Sequence, residues 1–164
     1  MKQDTLRVLD IVPGTSVDGP GLRTSIYFAG CTHHCEGCHN PQSWDLNGGT
    51  EISIDRLMNE IDRNGFNVTF SGGDPLMQPI DPLCNLASRI KAAGYTIWCY
   101  TGYIYEQIAS NPKFTDILGL IDVLVDGPFQ ASLRDTSLHF RGSSNQRIID
   151  LQASTCESPV LWHR

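Results

Sequence analysis

The sequence predicts an α/β fold: a single domain built on a curved, mostly parallel sheet that forms a partial, incomplete βα barrel. Three observations lead there. Short runs rich in β-branched and aromatic residues alternate with segments of three- and four-residue apolar periodicity, the pattern of βαβ units. Glycine and proline are scattered between these runs as punctuation and do not pool into a linker, and no internal repeat or low-complexity stretch stands out, so residues 1–164 read as one unit. A complete eight-unit barrel takes about 200 residues or more, and a chain of 164 residues supplies only part of one.

The elements follow in order. Leu6–Val12 and Thr24–Ala29 read as the first two strands, and Asn67–Ser71, Thr96–Tyr100 and Val123–Val125 as the next three, each ended by Gly, Pro or Asp. Between the second and third lies Ile54–Arg63, a helix with Ser53 or Asp55 near its start. Between the third and fourth lies Asp81–Ala93, where Leu83, Leu86, Ala87 and Ile90 recur at helical spacing and Gly94 is a natural stop. Parallel units of this kind place their chemistry at the carboxyl ends of the strands. Residues 151–164 match no pattern and read as a flexible tail.

Composition removes whole classes of function. The net charge is −6, from 18 acidic against 12 basic residues, so the overall field repels polyanions and nucleic acid is not an expected partner. The first thirty residues carry no basic start followed by an apolar run and cleavage site, and no window approaches the length needed to span a bilayer. No membrane association is expected, and the expected location is the cytoplasm. Three of the six cysteines fall within eight residues. In a reducing compartment, thiols gathered in this way indicate metal or redox chemistry more often than disulfides.

Those three are Cys31, Cys35 and Cys38, in Cys31-Thr32-His33-His34-Cys35-Glu36-Gly37-Cys38-His39-Asn40, directly after the second strand. Thiolates suit iron–sulfur clusters, and a 4Fe-4S cube held by three of them keeps one iron open to a substrate. A structural zinc site is the plain alternative, because His33, His34 and His39 stand beside the thiols. Such sites usually gather two ligand pairs from separated hairpins, and no second cysteine pair follows here. A disulfide or a simple thiol switch is the third reading.

This CxxxCxxC spacing resembles the signature of the radical S-adenosylmethionine superfamily. Val17-Asp18-Gly19-Pro20-Gly21-Leu22-Arg23 and the trailing Cys38-His39-Asn40 resemble its glycyl-radical-enzyme activases. Ser71-Gly72-Gly73-Asp74-Pro75 is similar to the family's glycine-rich motif. Trp98-Cys99-Tyr100-Thr101-Gly102-Tyr103, Leu124-Val125-Asp126-Gly127-Pro128-Phe129 and Arg141-Gly142-Ser143-Ser144-Asn145-Gln146 narrow the likeness to activating proteins of anaerobic ribonucleoside-triphosphate reductase. The resemblance runs in the same order over roughly residues 10 to 150.

The resemblance implies a 4Fe-4S cluster on Cys31, Cys35 and Cys38, and S-adenosylmethionine cleaved reductively to a 5′-deoxyadenosyl radical that makes the glycyl radical of the reductase. It implies cofactor contacts from Gly72, Gly73, Asp74, Pro75, Thr101, Asp126 and Arg141, with no catalytic residue beyond the cluster. Glycines allow close backbone approach and Asp74 offers a charge-assisted acceptor, which suits the cofactor's amino group. The implied partners are the large subunit of the reductase and a low-potential electron donor, flavodoxin or ferredoxin. Two positions depart from the pattern. Gly37 stands where an aromatic residue that can lie near adenine is common, and Pro128 stands where some relatives carry a lysine, leaving Arg141 as a substitute cation. Pyruvate formate-lyase activase and carboxy-deazaguanine synthase share the cysteine loop but not Arg141–Gln146. A non-catalytic zinc or redox-sensing module is the alternative from another class.

The remaining residues have structural readings. Cys84 and Cys99 read as small buried hydrophobes. His33 and His34 either tune the cluster or face solvent, and Trp98, Tyr100 and Tyr103 read as sheet packing. Asp126 is either a site carboxylate or the first residue of an Asp-Gly turn. Asp18 and Arg23 either shape a turn around Gly19-Pro20-Gly21 or meet the partner.

Overall fold

The computed structural model describes residues 4–38 and 40–163, so His39 lies outside the described residues. Seven strands form one open sheet in the order β3-β1-β2-β4-β5-β6-β7. They are β1 (Thr5–Thr15), β2 (Arg23–Phe28), β3 (Thr50–Ser53), β4 (Asn67–Gly72), β5 (Ile97–Tyr100), β6 (Val123–Asp126) and β7 (Arg147–Asp150). The parallel character applies to the four central strands β2, β4, β5 and β6. Both edges are antiparallel: β1 pairs with β2 and β3, and β7 with β6. The reason is connection length and content. The 16–22 link between β1 and β2 is too short for a crossover, and the chain returns from β6 to β7 without a helix of more than one turn, so neither strand can enter parallel.

Helices α1 (Ile54–Asn64), α2 (Ile80–Ala92), α3 (Tyr105–Ala109) and α4 (Thr115–Leu118) complete the fold. The Ser53 hydroxyl caps α1 by accepting from Arg56 N, and Gly65 closes it at φ 69°, a pairing of N-cap and left-handed C-cap that together contributes about 1 kcal/mol or more. The period-two alternation of the strands sends Ile26, Phe28, Val68, Phe70, Ile97, Cys99 and Leu124 to one face. There they share a core with Leu57 and Ile61 of α1, Leu83, Leu86 and Ile90 of α2, and Ile117 of α4.

The opposite face is covered by chain segments. Trp98, Val123 and Val125 pack there with Tyr100, Phe140, Ile148 and Trp162. The 151–163 segment, expected as a tail, folds back on this sheet: Trp162 N donates to Ile148 O and its ring meets Trp98 edge-on at 5.0 Å. An exposed β7 edge and an apolar Trp162 account for that return, since pairing satisfies backbone groups and buries the ring. Four elements had no forecast: α3 and α4 are little more than one turn, and β3 and β7 set only one or two apolar residues between polar ones, unlike the equally short but apolar β5 and β6. Among the described residues no helix is long and apolar enough to cross a membrane.

Candidate functional site

The carboxyl ends of β2, β4, β5 and β6 lie side by side, and each runs into one of the motifs. β2 leads into Ala29-Gly30-Cys31, β4 into Gly72-Gly73-Asp74, β5 into Thr101-Gly102 and β6 into Asp126-Gly127. Backbone bonds fix the start of the cysteine loop. Ala29 N donates to Arg7 O, Gly30 N to Ser43 O and Cys31 N to Trp44 O, while the buried Gln78 amide donates to Ala29 O at 2.6 Å. On the other side, Gly73 N donates to Phe28 O and Asp74 N to Gly30 O. The two glycines are required by this closeness. A Cβ on Gly72 would lie 2.4 Å from Phe28 N, and one on Gly73 would lie 2.4 Å from Gly30 O.

Cys31, Cys35 and Cys38 are free thiols, each partly exposed, and none of the six cysteines is in a disulfide. Among the described residues, no three His, Cys, Asp or Glu side chains are drawn together tightly enough to hold a metal ion. Burial pushes the Cys31 thiol up to about 11, with smaller contributions from the Asp74 and Cys35 charges. Three free thiols on one loop are the donor type that iron–sulfur clusters take, so the residues present fit such a cluster, whose iron would supply the charge that ionises them. Gly37 has φ +76°, and a Cβ there would lie 3.3 Å from Ala131 Cβ and 3.5 Å from the Phe129 ring. The Phe129 ring, from the loop after β6, therefore lies beside position 37, an approach of segments about ninety residues apart that no local pattern signals.

Asp74 is fully buried. Its Oδ2 faces His33 Nε2 at 2.7 Å, Thr101 Oγ1 at 2.8 Å and Gly102 N at 2.9 Å, and its Oδ1 accepts from Leu76 N at 3.0 Å. Pro75 begins the 3-10 turn that this last bond caps. His33 and His34 are both packed. The His33 ring meets Tyr103 edge-on at 4.7 Å, and the His34 ring stacks on Trp44 at 4.4 Å.

Asp126, 1% exposed, is a second carboxylate hub. Oδ1 accepts from Arg147 N and Nε, and Oδ2 from Tyr105 N and Arg147 Nη2. The same guanidinium makes a two-point contact with Glu106. Hydrogen bonds to Glu106 and then Asp126 hold Arg147 above its ordinary pKa. Arg147 carried no signal in the sequence, because a lone cation opening a short strand has many plain uses.

Arg141 lies apart. Its Nη1 donates to Gln146 O at 2.6 Å, and it lines a cleft of about 460 Å³ with Phe140, Arg147, Leu161 and Trp162, whose walls include none of the cysteines, Asp74 or Thr101. The Asp18–Arg23 segment straps the helix-free face. Asp18 Oδ2 accepts from Ser25 Oγ and Tyr27 Oη, and the buried Arg23 donates to Thr69 Oγ1 and Val68 O with its guanidinium 5.7 Å from the Trp98 ring centre. Burial brings the Arg23 pKa down to about 10. The strap leaves Val17 and Leu22 exposed beside the turn, at 70% and 54%.

Comparison with known proteins bears on this arrangement. Residues 17–149 match the family described as 4Fe-4S single cluster domain. The anaerobic ribonucleoside-triphosphate reductase-activating protein of Escherichia coli K12 is 38% identical over 151 residues, covering 85% of this chain and 96% of that protein. The protein of the same description from enterobacteria phage T4 is 36% identical over 145 residues, covering 84% and 90%. Among solved structures, the crystal structure of QueE from Escherichia coli aligns with a TM-score of 0.48 at 19% identity, over 60% of this chain and 52% of that one.

Proposed function

The chain belongs to the family of anaerobic ribonucleoside-triphosphate reductase-activating proteins, within the 4Fe-4S single cluster domains, and on that premise we propose how its residues perform the activation. Cys31, Cys35 and Cys38 would hold a 4Fe-4S cluster as thiolates, with S-adenosylmethionine beside them. When bound, these groups would supply reductive cleavage of a carbon–sulfur bond of S-adenosylmethionine by one electron from an external donor, the radical chemistry needed to remove a hydrogen atom from a backbone glycine of the reductase. The observation that carries this reading is the cysteine loop at the carboxyl end of β2, bonded directly to the Gly72-Gly73-Asp74 turn at the end of β4.

The protein's own work is positioning. The backbone of Gly72 and Gly73, followed by Pro75 and tied through Asp74 to Thr101, would receive the methionine end of the cofactor, and Asp74 holds that turn to the cysteine loop. Asp126 shapes the next strand end. Arg141 is offered as the cation for the cofactor carboxylate in place of a lysine at position 128. From its cleft it must turn inward to reach, so an Arg141→Ala protein that binds S-adenosylmethionine unchanged removes that role. The one-sided arrangement, helices on one face and only chain segments on the other, supports a partial βα barrel whose open side admits a glycine loop of the reductase. The electron donor is a flavodoxin or a ferredoxin, and the activation takes place in the cytoplasm.

The test is 5′-deoxyadenosine formation by anaerobically reconstituted, dithionite-reduced protein, beside a Cys35→Ala control. Product from the native protein and none from the control supports the reading. No product from a protein with a full complement of iron and sulfide, with the reductase present, overturns it.

A further inference from the structure

We propose that His33 is a positioning residue which, through Asp74, locks the cysteine loop to the two neighbouring strand ends; this rests on the cluster-and-cofactor reading above. An ionised carboxylate offers about four lone-pair directions, and Asp74 meets four donors: His33 Nε2, Thr101 Oγ1, Gly102 N and Leu76 N. Three of these donors meet Oδ2 and one meets Oδ1, and because the carboxylate is fully buried none of its surface is open to the ammonium of a ligand. Its place is at a junction of three loops, and the binding of an amino group passes to the backbone it steadies.

His33 is the part of that junction carried by the cysteine loop. It lies two residues from Cys31 and two from Cys35, so fixing its ring fixes the chain between two thiols. The ring has a made-to-fit place. A Cβ on Gly102 would lie 2.4 Å from His33 Cδ2, and Tyr103 meets the ring edge-on from the same loop. Glycine at position 102 thus admits the ring while its N–H reaches the same Asp74 oxygen that His33 reaches. Asp74 Oδ2 thus joins the cysteine loop to the Thr101-Gly102 turn by side-chain bonds, beside the backbone bond from Asp74 N to Gly30 O and the edge-on contact of Tyr103.

The test uses the full-length protein, reconstituted anaerobically and reduced, with S-adenosylmethionine titrated against the cluster's electron paramagnetic resonance signal. His33→Leu is expected to raise the concentration for half-maximal spectral change roughly tenfold, the loss of one hydrogen bond to a charged acceptor, and to raise KM more than it lowers kcat. His33→Gln, whose amide nitrogen reaches toward the position of Nε2, is expected to recover most of that loss. Thr101→Val, remote from the cysteines in sequence, is expected to move the titration the same way. A His33→Leu titration matching the native one, or a His33→Gln protein no better than His33→Leu, overturns the proposal. If His33→Leu holds no iron, Thr101→Val decides: an unshifted midpoint overturns the junction and a raised one supports it. Iron release to a chelator, read in parallel without S-adenosylmethionine, separates the two readings. Faster release from His33→Leu, with no cofactor response in either protein, keeps the junction and removes the cofactor reading, whereas equal release rates remove the junction.

Discussion

Replacing Arg147 with Met should destabilise the protein by about 2–3 kcal/mol. The substitution takes the Nε and Nη2 donors from Asp126, leaving it Tyr105 N and the backbone N at position 147. Asp126 is 1% exposed, and stranding one member of a buried ion pair costs about 3–5 kcal/mol. The Arg147 side chain is 33% exposed, so water screens part of the interaction and the lower figure applies. For a chain of this size, about 1 kcal/mol moves the melting temperature by roughly 2–4 °C, so a fall of roughly 5–10 °C is expected. Anaerobic urea denaturation of the cluster-free protein measures it. Adding Asp126→Asn to Arg147→Met removes the stranded charge and should recover about half of the loss. A loss below about 1 kcal/mol, or a double variant no more stable than the single one, would refute the view that Asp126 is held by Arg147.

Three further outcomes follow from the same geometry. Gly73→Ala drives a Cβ against Gly30 O and Ser43 O, so its reconstituted iron content should fall well below that of the native protein, while Gly65→Ala, in open space at the end of α1, should keep full iron and lose only about 1 kcal/mol for its left-handed backbone. Arg147 hydrogen bonds hold the Glu106 carboxyl below its ordinary value; a lowered pKa stabilises above the unfolded value and that stability is lost as pH falls through the folded one. Glu106→Gln should therefore flatten the acid side of the stability curve measured by urea denaturation, and an unchanged slope would count against the pairing. Trp162→Ala uncovers Trp98 and unpacks the return of the chain onto β7; a loss of about 2–4 kcal/mol is expected, and a neutral result would mean that the 151–163 segment adds nothing to the fold.

Much of the site was legible before folding because its parts are contiguous in the chain. Cys31, Cys35 and Cys38 are set by spacing, the Gly72-Gly73-Asp74-Pro75 turn by its glycines, and the four central strands by short apolar runs with clear stops. Periodicity also placed α1 and α2 within a residue or two of their ends. It failed for the single-turn helices α3 and α4 and for β3 and β7, whose few apolar residues stand between polar ones and which owe their structure to neighbours already in place.

What the sequence determined by itself is the class of chemistry, since three thiols on one loop limit the groups that can bind there, and the order of loops along the sheet, since alternating strand and helix periods dictate parallel central strands. Tertiary structure alone decided the partners of each carboxylate. Asp74 and Asp126 look alike in sequence, each beside a glycine at a strand end, yet one collects His33, Thr101 and Gly102 and the other collects Arg147 and Tyr105. The physical reason is that a buried charge takes whatever donors the fold brings within about 3 Å. Those donors lie from 21 to 41 residues away along the chain, a separation that local periodicity does not encode.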